Sequence, residues 1–233
     1  MGAAWEVFYN KFIVYGGWKT VVDGLVVTLQ IAVIGLIIGI LIGTLIATVK
    51  VVPKRNPALK VLSVICDIYV GFFRGTPLVV QLLIGYFVLL PALGLRVEAV
   101  YAAIVIYGMN SAAYVSETMR SGIQAVDIGQ MEAARALGLN YSTSMMKVVI
   151  PQAVKNILPT LGNEFISLIK ETSVASFISV VDVTKAFRQI GDSNYEYIIP
   201  YLMLAAIYLI LVMIITLGVR LLERRLRRSD RRS

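Results

Sequence analysis

The sequence contains no histidine and a single cysteine. Without an imidazole base, Ser-His-Asp and Cys-His catalytic sets are excluded, and so is a Cys/His zinc site. With Cys66 alone, no disulfide forms within the chain. Cys66 lies in an apolar run and reads as packing. A G-x-x-x-x-G-K-[ST] phosphate loop is also missing, so the chain is not expected to bind ATP in that way. The first 24 residues lack a basic start followed by a clean apolar core, so no cleavable signal peptide is expected. Glu6 stands where a myristoylation signal needs Ser or Thr. Charge is scarce too: Asp, Glu, Lys and Arg make up 15% of 233 residues, against 58% hydrophobic. That balance is far from a soluble domain and leaves little room for one.

What the chain does have is long apolar runs, with a mean hydropathy of +0.79. A bilayer crossing needs roughly 20 apolar residues. Five runs qualify, at residues 21–49, 59–90, 97–118, 158–181 and 198–222. The second is longer than a crossing requires and holds a charge and a proline, so it reads as broken or tilted. The expected fold is all-α: one polytopic membrane domain over residues 1–233 with five transmembrane helices, a cytoplasmic loop at 119–157 and a basic tail at 221–233.

The net charge of +8 is distributed in a way that orients these spans. Lys50, Lys54, Arg55 and Lys60 lie around the first connection, and Arg120, Arg135, Lys147 and Lys155 around the third. Arg220, Arg224, Arg225, Arg227, Arg228, Arg231 and Arg232 crowd the C-terminus, whereas the second connection holds only Arg96 and the fourth mixes both signs. By the positive-inside rule the basic set is cytoplasmic, which puts the N-terminus outside and the C-terminus inside. The arginine tail suits anionic membrane lipid; nucleic acid is not an expected partner. Gly35, Gly39, Gly43 and Ala47 form a stripe with a spacing of four, a surface for close approach of another helix.

The third connection, 119–157, is too long for an unstructured loop in a compact protein. Residues 130–137 are good helix formers, and Gly138 is placed to stop that helix. The stretch 140–143 offers caps for a second helix through residues 144–149, with Pro151 at its end or at a kink. Ala133, Ala134, Ala136, Leu137 and Leu139 suit a groove in a partner protein; a bed of lipid headgroups fits equally well.

Polar residues inside spans are functional candidates because they are costly there. Arg74 lies about 22 Å along the second span if that span starts near residue 59, which places it well inside the membrane. Gly75, Thr76 and Pro77 follow, with Thr76 able to cap a new helix and Pro77 suited to its first position. A helix N-terminus there would face an anion such as an α-carboxylate; alternatively Arg74 pairs with Glu117 and the break is only shape. In the fourth span, Glu164 and Glu171 share a face about 10 Å apart along the axis, with Asn163, Ser167 and Lys170 in a neighbouring stripe. One glutamate suits a substrate ammonium and the other a cationic side chain, although Lys170 can also satisfy one of them. Asn110, Ser111 and Tyr114 of the third span offer hydrogen bonds to a substrate or to a neighbouring helix.

Glu132-Ala133-Ala134, Gly138, Val148, Ile150 and Pro151 together resemble the EAA loop of ABC importer permeases. That pattern carries Ile and Leu where this chain has Val148 and Ile150. The stretches FRGTPLVVQL (73–82), SETMRSGIQAVDIGQ (116–130), IPQAVKNILPTLGNEFISLIKETS (150–173) and VVDVTKAFRQI (180–190) resemble the polar amino acid permeases among them. The resemblance implies a type I importer permease fold, with Glu132, Ala133, Ala134, Gly138 and Pro151 in coupling helices docked on a separate ATPase. It implies a second permease subunit, identical or related, and an extracytoplasmic solute-binding protein. ATP and Mg would belong to the ATPase, with no cofactor or metal on this chain. It also implies uptake across a bacterial cytoplasmic membrane. Two acidic positions point toward arginine, lysine or histidine as substrate; glutamine, glutamate and cystine stay open. A membrane enzyme built on the GMNSA stretch (108–112) lacks a histidine base. An ATP-independent channel or carrier has only the patterned loop against it, and the polar stripe of the fourth span argues against a regulatory subunit that transports nothing.

Overall fold

The computed structural model describes residues 2–53, 56–193 and 195–230, with side chains at 5–53, 56–193 and 195–226. Lys54, Arg55, Arg231 and Arg232 of the basic clusters, and the side chains of Arg227 and Arg228, lie outside the described residues. The order is α1 (Gly2–Tyr9) running into a π turn, α2 (Gly17–Val51), α3 (Pro57–Gly75) and α4 (Leu78–Ile84). A second π turn leads to α5 (Leu90–Ala92), followed by α6 (Ala99–Gln124), α7 (Ile128–Ala136) and α8 (Tyr141–Ser144). After a third π turn come α9 (Ile150–Glu171), a 3-10 segment (Thr172–Ile178), α10 (Val183–Asp192) and α11 (Ile198–Asp230). No strand occurs among the described residues.

Among the described residues, three helices are long and apolar enough to cross a membrane: Gly17–Val51, Ala99–Gln124 and Ile198–Leu226. The pair Pro57–Gly75 and Leu78–Ala92 qualifies together but is bent by 107°. The count is compatible with five spans, but the expected fourth span has a different form. It is α9 followed by the 3-10 turn, starting at Ile150 rather than near residue 158. Its polar face keeps α9 out of the apolar set.

The helix ends follow from local chemistry. Asn56 accepts from the Ala58 amide, and Pro57 takes a first-turn position where no N–H is needed. Asp127 accepts from Gly129 N, Asn140 from Thr143 N, and Asp182 from Thr184 N and Lys185 N. Each such cap is worth about 1 kcal/mol. Of the two expectations for Pro151, a helix end or a kink, the helix end does not occur. Pro151 sits in the first turn of α9, directly after the π turn Met145–Val149. A proline ring clashes with the carbonyl four residues back, and the wider π turn relieves that clash without breaking the helix. Pro91 follows the π turn Gly85–Leu89 in the same way.

Lipid tails are as apolar as leucine, so helices in a bilayer associate through close contact rather than through escape from water. The glycine stripe of α2 serves this purpose, and its neighbour is α6 of the same chain. A Cβ on Gly43 would stand 2.9 Å from both the Ala112 carbonyl oxygen and the Val115 side chain. The main core joins Ile31 and Ala32 of α2, Leu82 of α4, Ala103 and Tyr107 of α6, Leu168 and Ile169 of α9, and Ala175 and Ile178 of the 3-10 turn. A second cluster packs Phe8 of α1 and Val21 of α2 on Val183, Ala186 and Phe187 of α10. There Thr28 Oγ1 accepts from Val183 N, which holds the start of α10 to α2.

Candidate functional site

The break between α3 and α4 positions the first group of polar residues. Thr76 precedes Pro77, and a residue before proline is driven to extended backbone; Thr76 has φ −121° and ψ 144°. Thr76 does not cap α4, contrary to the expectation from sequence. Its hydroxyl donates back to the Phe72 carbonyl at 2.8 Å, and Pro77 itself is the N-cap residue. The freed carbonyls are served instead by Gln81, one turn into α4. Its amide nitrogen lies 2.9 Å from the Phe73 carbonyl, 3.0 Å from the Thr76 carbonyl and 2.9 Å from Thr76 Oγ1. Asn110 of α6 donates to Gln81 Oε1 at 2.9 Å and to the Phe73 carbonyl at 3.3 Å. Thr76 and Asn110 are thus joined inside one elbow.

Arg74 is placed by the packing of α3, whose Cys66, Val70 and Phe73 share one apolar cluster with Ile42, Ile46 and Val49 of α2 and Met109 and Ala113 of α6. The middle of α3 passes the last turn of α2, where Lys50 Nζ is 3.0 Å from Asp67 and 2.6 Å from Glu117. Arg120 holds the other Glu117 oxygen at 2.7 Å, and Arg74 approaches that oxygen at 3.9 Å. The Arg74 guanidinium also lies 5.4 Å from the centre of the Tyr114 ring. Arg74 is therefore beside Tyr114 and Glu117, on the C-terminal half of α6. Close nitrogen–oxygen pairs occupy the Glu117 carboxylate, and the Arg74 side chain is 45% exposed.

The second group lines α9. Asn156, Thr160, Asn163 and Lys170 are exposed, and Ser167 is partly exposed between the last two, so a polar stripe follows one side of the helix. Glu164 is half-buried and turned toward α6. The Ser111 hydroxyl faces the Glu164 carboxyl but is outside hydrogen-bonding geometry, and it is fully buried with no partner among the described residues. Tyr107, one turn earlier on α6, donates to the Glu171 carbonyl at 2.6 Å, while the Glu171 side chain is exposed. Along α6 the levels are Glu117, then Ser111 about 9 Å away, then Tyr107 about 6 Å further. Arg74, Glu164 and Glu171 are accordingly spread along one bundle, at three heights.

The loop residues form a compact unit at the same end as Glu117. Gly138 has φ 84°, the left-handed region that glycine occupies freely, and it stops α7 after Leu137. Glu132, Ala133, Leu137 and Gly138 are exposed, with Leu137 at 83% and Ile128 at 74%. Ala134 departs from the expected partner-facing set. It is buried within the chain, on a helix that contacts both α8 and the π turn before α9. Pro151 is exposed. Gln152 Nε2 donates to Gln130 Oε1 at 3.1 Å, bridging α9 to α7 across an open polar cleft that Asp127 and Asn156 also line.

Sequence reasoning did not single out Gln81, Asp67 or Tyr107, and it used Lys50 and Arg120 only to orient the spans. A signal existed for Gln81, an uncharged polar residue four places after the proline in an otherwise apolar run.

Comparison with known proteins places this arrangement. The family model described as binding-protein-dependent transport system inner membrane component matches residues 35–228. The arginine transport system permease protein ArtQ of Bacillus subtilis (strain 168) is 41% identical over 210 residues, 90% of this chain and 94% of that one. The putative glutamine transport system permease protein GlnP of Rickettsia bellii (strain RML369-C) is 41% identical over 206 residues, 88% of this chain and 92% of that one. A crystal structure of an amino acid ABC transporter with histidines superposes with a TM-score of 0.85 at 39% identity, covering 93% of this chain and 98% of that one.

Proposed function

This chain belongs to the family of binding-protein-dependent transport system inner membrane components, and we propose that it is the permease subunit of an ATP-driven importer of cationic amino acids such as arginine. Its expected setting is a bacterial cytoplasmic membrane, N-terminus outside and C-terminus inside. A separate ATPase carrying ATP and Mg, a second permease subunit and an extracytoplasmic solute-binding protein complete the machine.

The observation that carries this reading is the connection of α7 to α9. Glu132, Ala133 and Gly138 are exposed and free to meet an ATPase, while Ala134 is buried and α7 contacts the turn from which α9 begins. Movement of α7 by an ATPase would be passed to α9 with little slack, because Gln130 and Gln152 also tie the two together. The polar stripe of α9 is then the moving wall of a pathway. Such a stripe is costly against lipid and suits water, substrate or a facing subunit.

On this wall Glu164 is the group for a substrate cation. A carboxylate turned toward a buried, unpartnered hydroxyl has oxygen ligands to offer an ammonium or guanidinium without new reorganisation. Glu171 adds a second negative charge further along. Arg74, with donors not committed to close pairs, is the group for the substrate carboxylate. The relatives named for arginine and for glutamine transport accord with an amino acid substrate. Glu164→Gln should cut arginine uptake in reconstituted vesicles by about tenfold or more while the ATPase still co-purifies. Unchanged uptake would overturn this role for Glu164.

A further inference from the structure

We propose that Gln81, oriented by Asn110, is a positioning residue that rigidifies the α3–α4 elbow and thereby presents Arg74 to its ligand. The proposal rests on the reading of Arg74 as the substrate-carboxylate group.

A helix that stops leaves carbonyls of its last turn without donors, and a buried carbonyl cannot find them in water. Here a single side-chain amide meets that need. Gln81 Nε2 is within 3.0 Å of the Phe73 carbonyl, the Thr76 carbonyl and Thr76 Oγ1. Asn110 decides which way the Gln81 amide points, because its own N–H occupies Gln81 Oε1. Thr76 Oγ1 gives its proton to the Phe72 carbonyl, so it is left to accept from Gln81. These contacts fix the backbone on both sides of Arg74. They also register it to α6, where Asn110, Tyr114 and Glu117 follow one face at helical spacing. Asn110 thus sets the backbone, and Tyr114 and Glu117 receive the Arg74 side chain. A Cβ on Gly71 or Gly75 would meet nothing within 4 Å, so neither side of Arg74 is held at these glycines by packing. The hydrogen bonds, not contact at these glycines, hold the bend.

The test uses spin labels at Val64 and Phe87, both exposed, one on each arm of the elbow, in a Cys66→Ser background with the co-purifying ATPase present. A narrow distance distribution is expected for the native elbow and a clearly broader one for Gln81→Leu. In vesicles, Gln81→Leu should raise the KM for arginine about tenfold and change the maximal rate less than about threefold. In an Arg74→Gln background the same change should add less than about twofold, because it acts through Arg74. Thr76→Val removes one acceptor and should broaden the distribution less, which preserves the measurement if Gln81→Leu does not assemble. An unchanged distribution in both variants overturns the brace. A broadened distribution with an unchanged KM overturns its role in positioning. If Arg74→Gln itself leaves the KM unchanged, the substrate role of Arg74 fails, and broadening in Gln81→Leu still establishes the brace.

Discussion

Gly39 of α2 and Ser111 of α6 lie so close that a Cβ on the glycine would stand 2.5 Å from the serine hydroxyl oxygen. The same serine faces Glu164, so the packing of the two central helices and the proposed substrate wall share an atom. Gly39→Leu should therefore destabilise the fold by roughly 1–3 kcal/mol through overpacking. Gly71→Ala, where the added Cβ has open space, should be neutral or stabilise by about 0.5–1 kcal/mol. Thermal unfolding of the purified variants in detergent distinguishes these opposite signs. Equal destabilisation by both would contradict the helix packing described.

The loop makes a separate prediction. Gly138→Val forces a β-branched residue into φ 84°, at a local cost of about 1–2 kcal/mol, and redirects the exposed end of α7. Glu132→Lys reverses one exposed charge and leaves the fold alone. Both should reduce the ATPase recovered with the chain by about fivefold or more, while Glu132→Lys leaves the unfolding temperature unchanged. Full recovery of the ATPase with both variants would mean that the partner docks elsewhere.

Arg74 carries a planar donor fork, and Arg74→Lys keeps the charge but loses the bidentate geometry. The expected result is a KM for arginine raised by about tenfold, or 1.4 kcal/mol, with ATPase assembly intact. An unchanged KM would return Arg74 to a structural ion pair with Glu117.

Orientation is open to direct labelling. Tyr195 and Ile128 are 87% and 74% exposed, one before α11 and the other at the start of α7. In a Cys66→Ser background, Tyr195→Cys should react with an impermeant maleimide from outside the cell. Ile128→Cys should react only after permeabilisation. The reverse pattern would place the basic loop outside.

Much of this was legible because it is local. Gly138 and Asn140 announced the end of one loop helix and the start of the next, since a left-handed position and an N-cap each depend on a few residues. The stripe at Gly35, Gly39 and Gly43 announced close packing but not its partner, which lies some 70 residues away on α6. Gly75-Thr76-Pro77 marked the break, yet the chemistry that seals it joins Gln81 to Asn110 across 29 residues. The pairing of Arg74 with Glu117 was open from the sequence, whereas Lys50 and Arg120, which fill the Glu117 carboxylate, come from other turns that only the fold brings together. Pro151 leaves an end and a kink both open in sequence because its missing N–H is visible there, and the π turn that accommodates it is not.

The central claim is that ATP hydrolysed on a separate subunit drives an amino acid through this chain. Its most direct test is labelled arginine uptake into vesicles holding this permease, the ATPase that co-purifies with it and any second permease subunit, with the solute-binding protein supplied outside. The account predicts accumulation against a gradient that requires ATP and is lost with Gly138→Val. Arginine flux of the same size through the purified chain alone, without ATP, would contradict it and make the protein a channel or carrier.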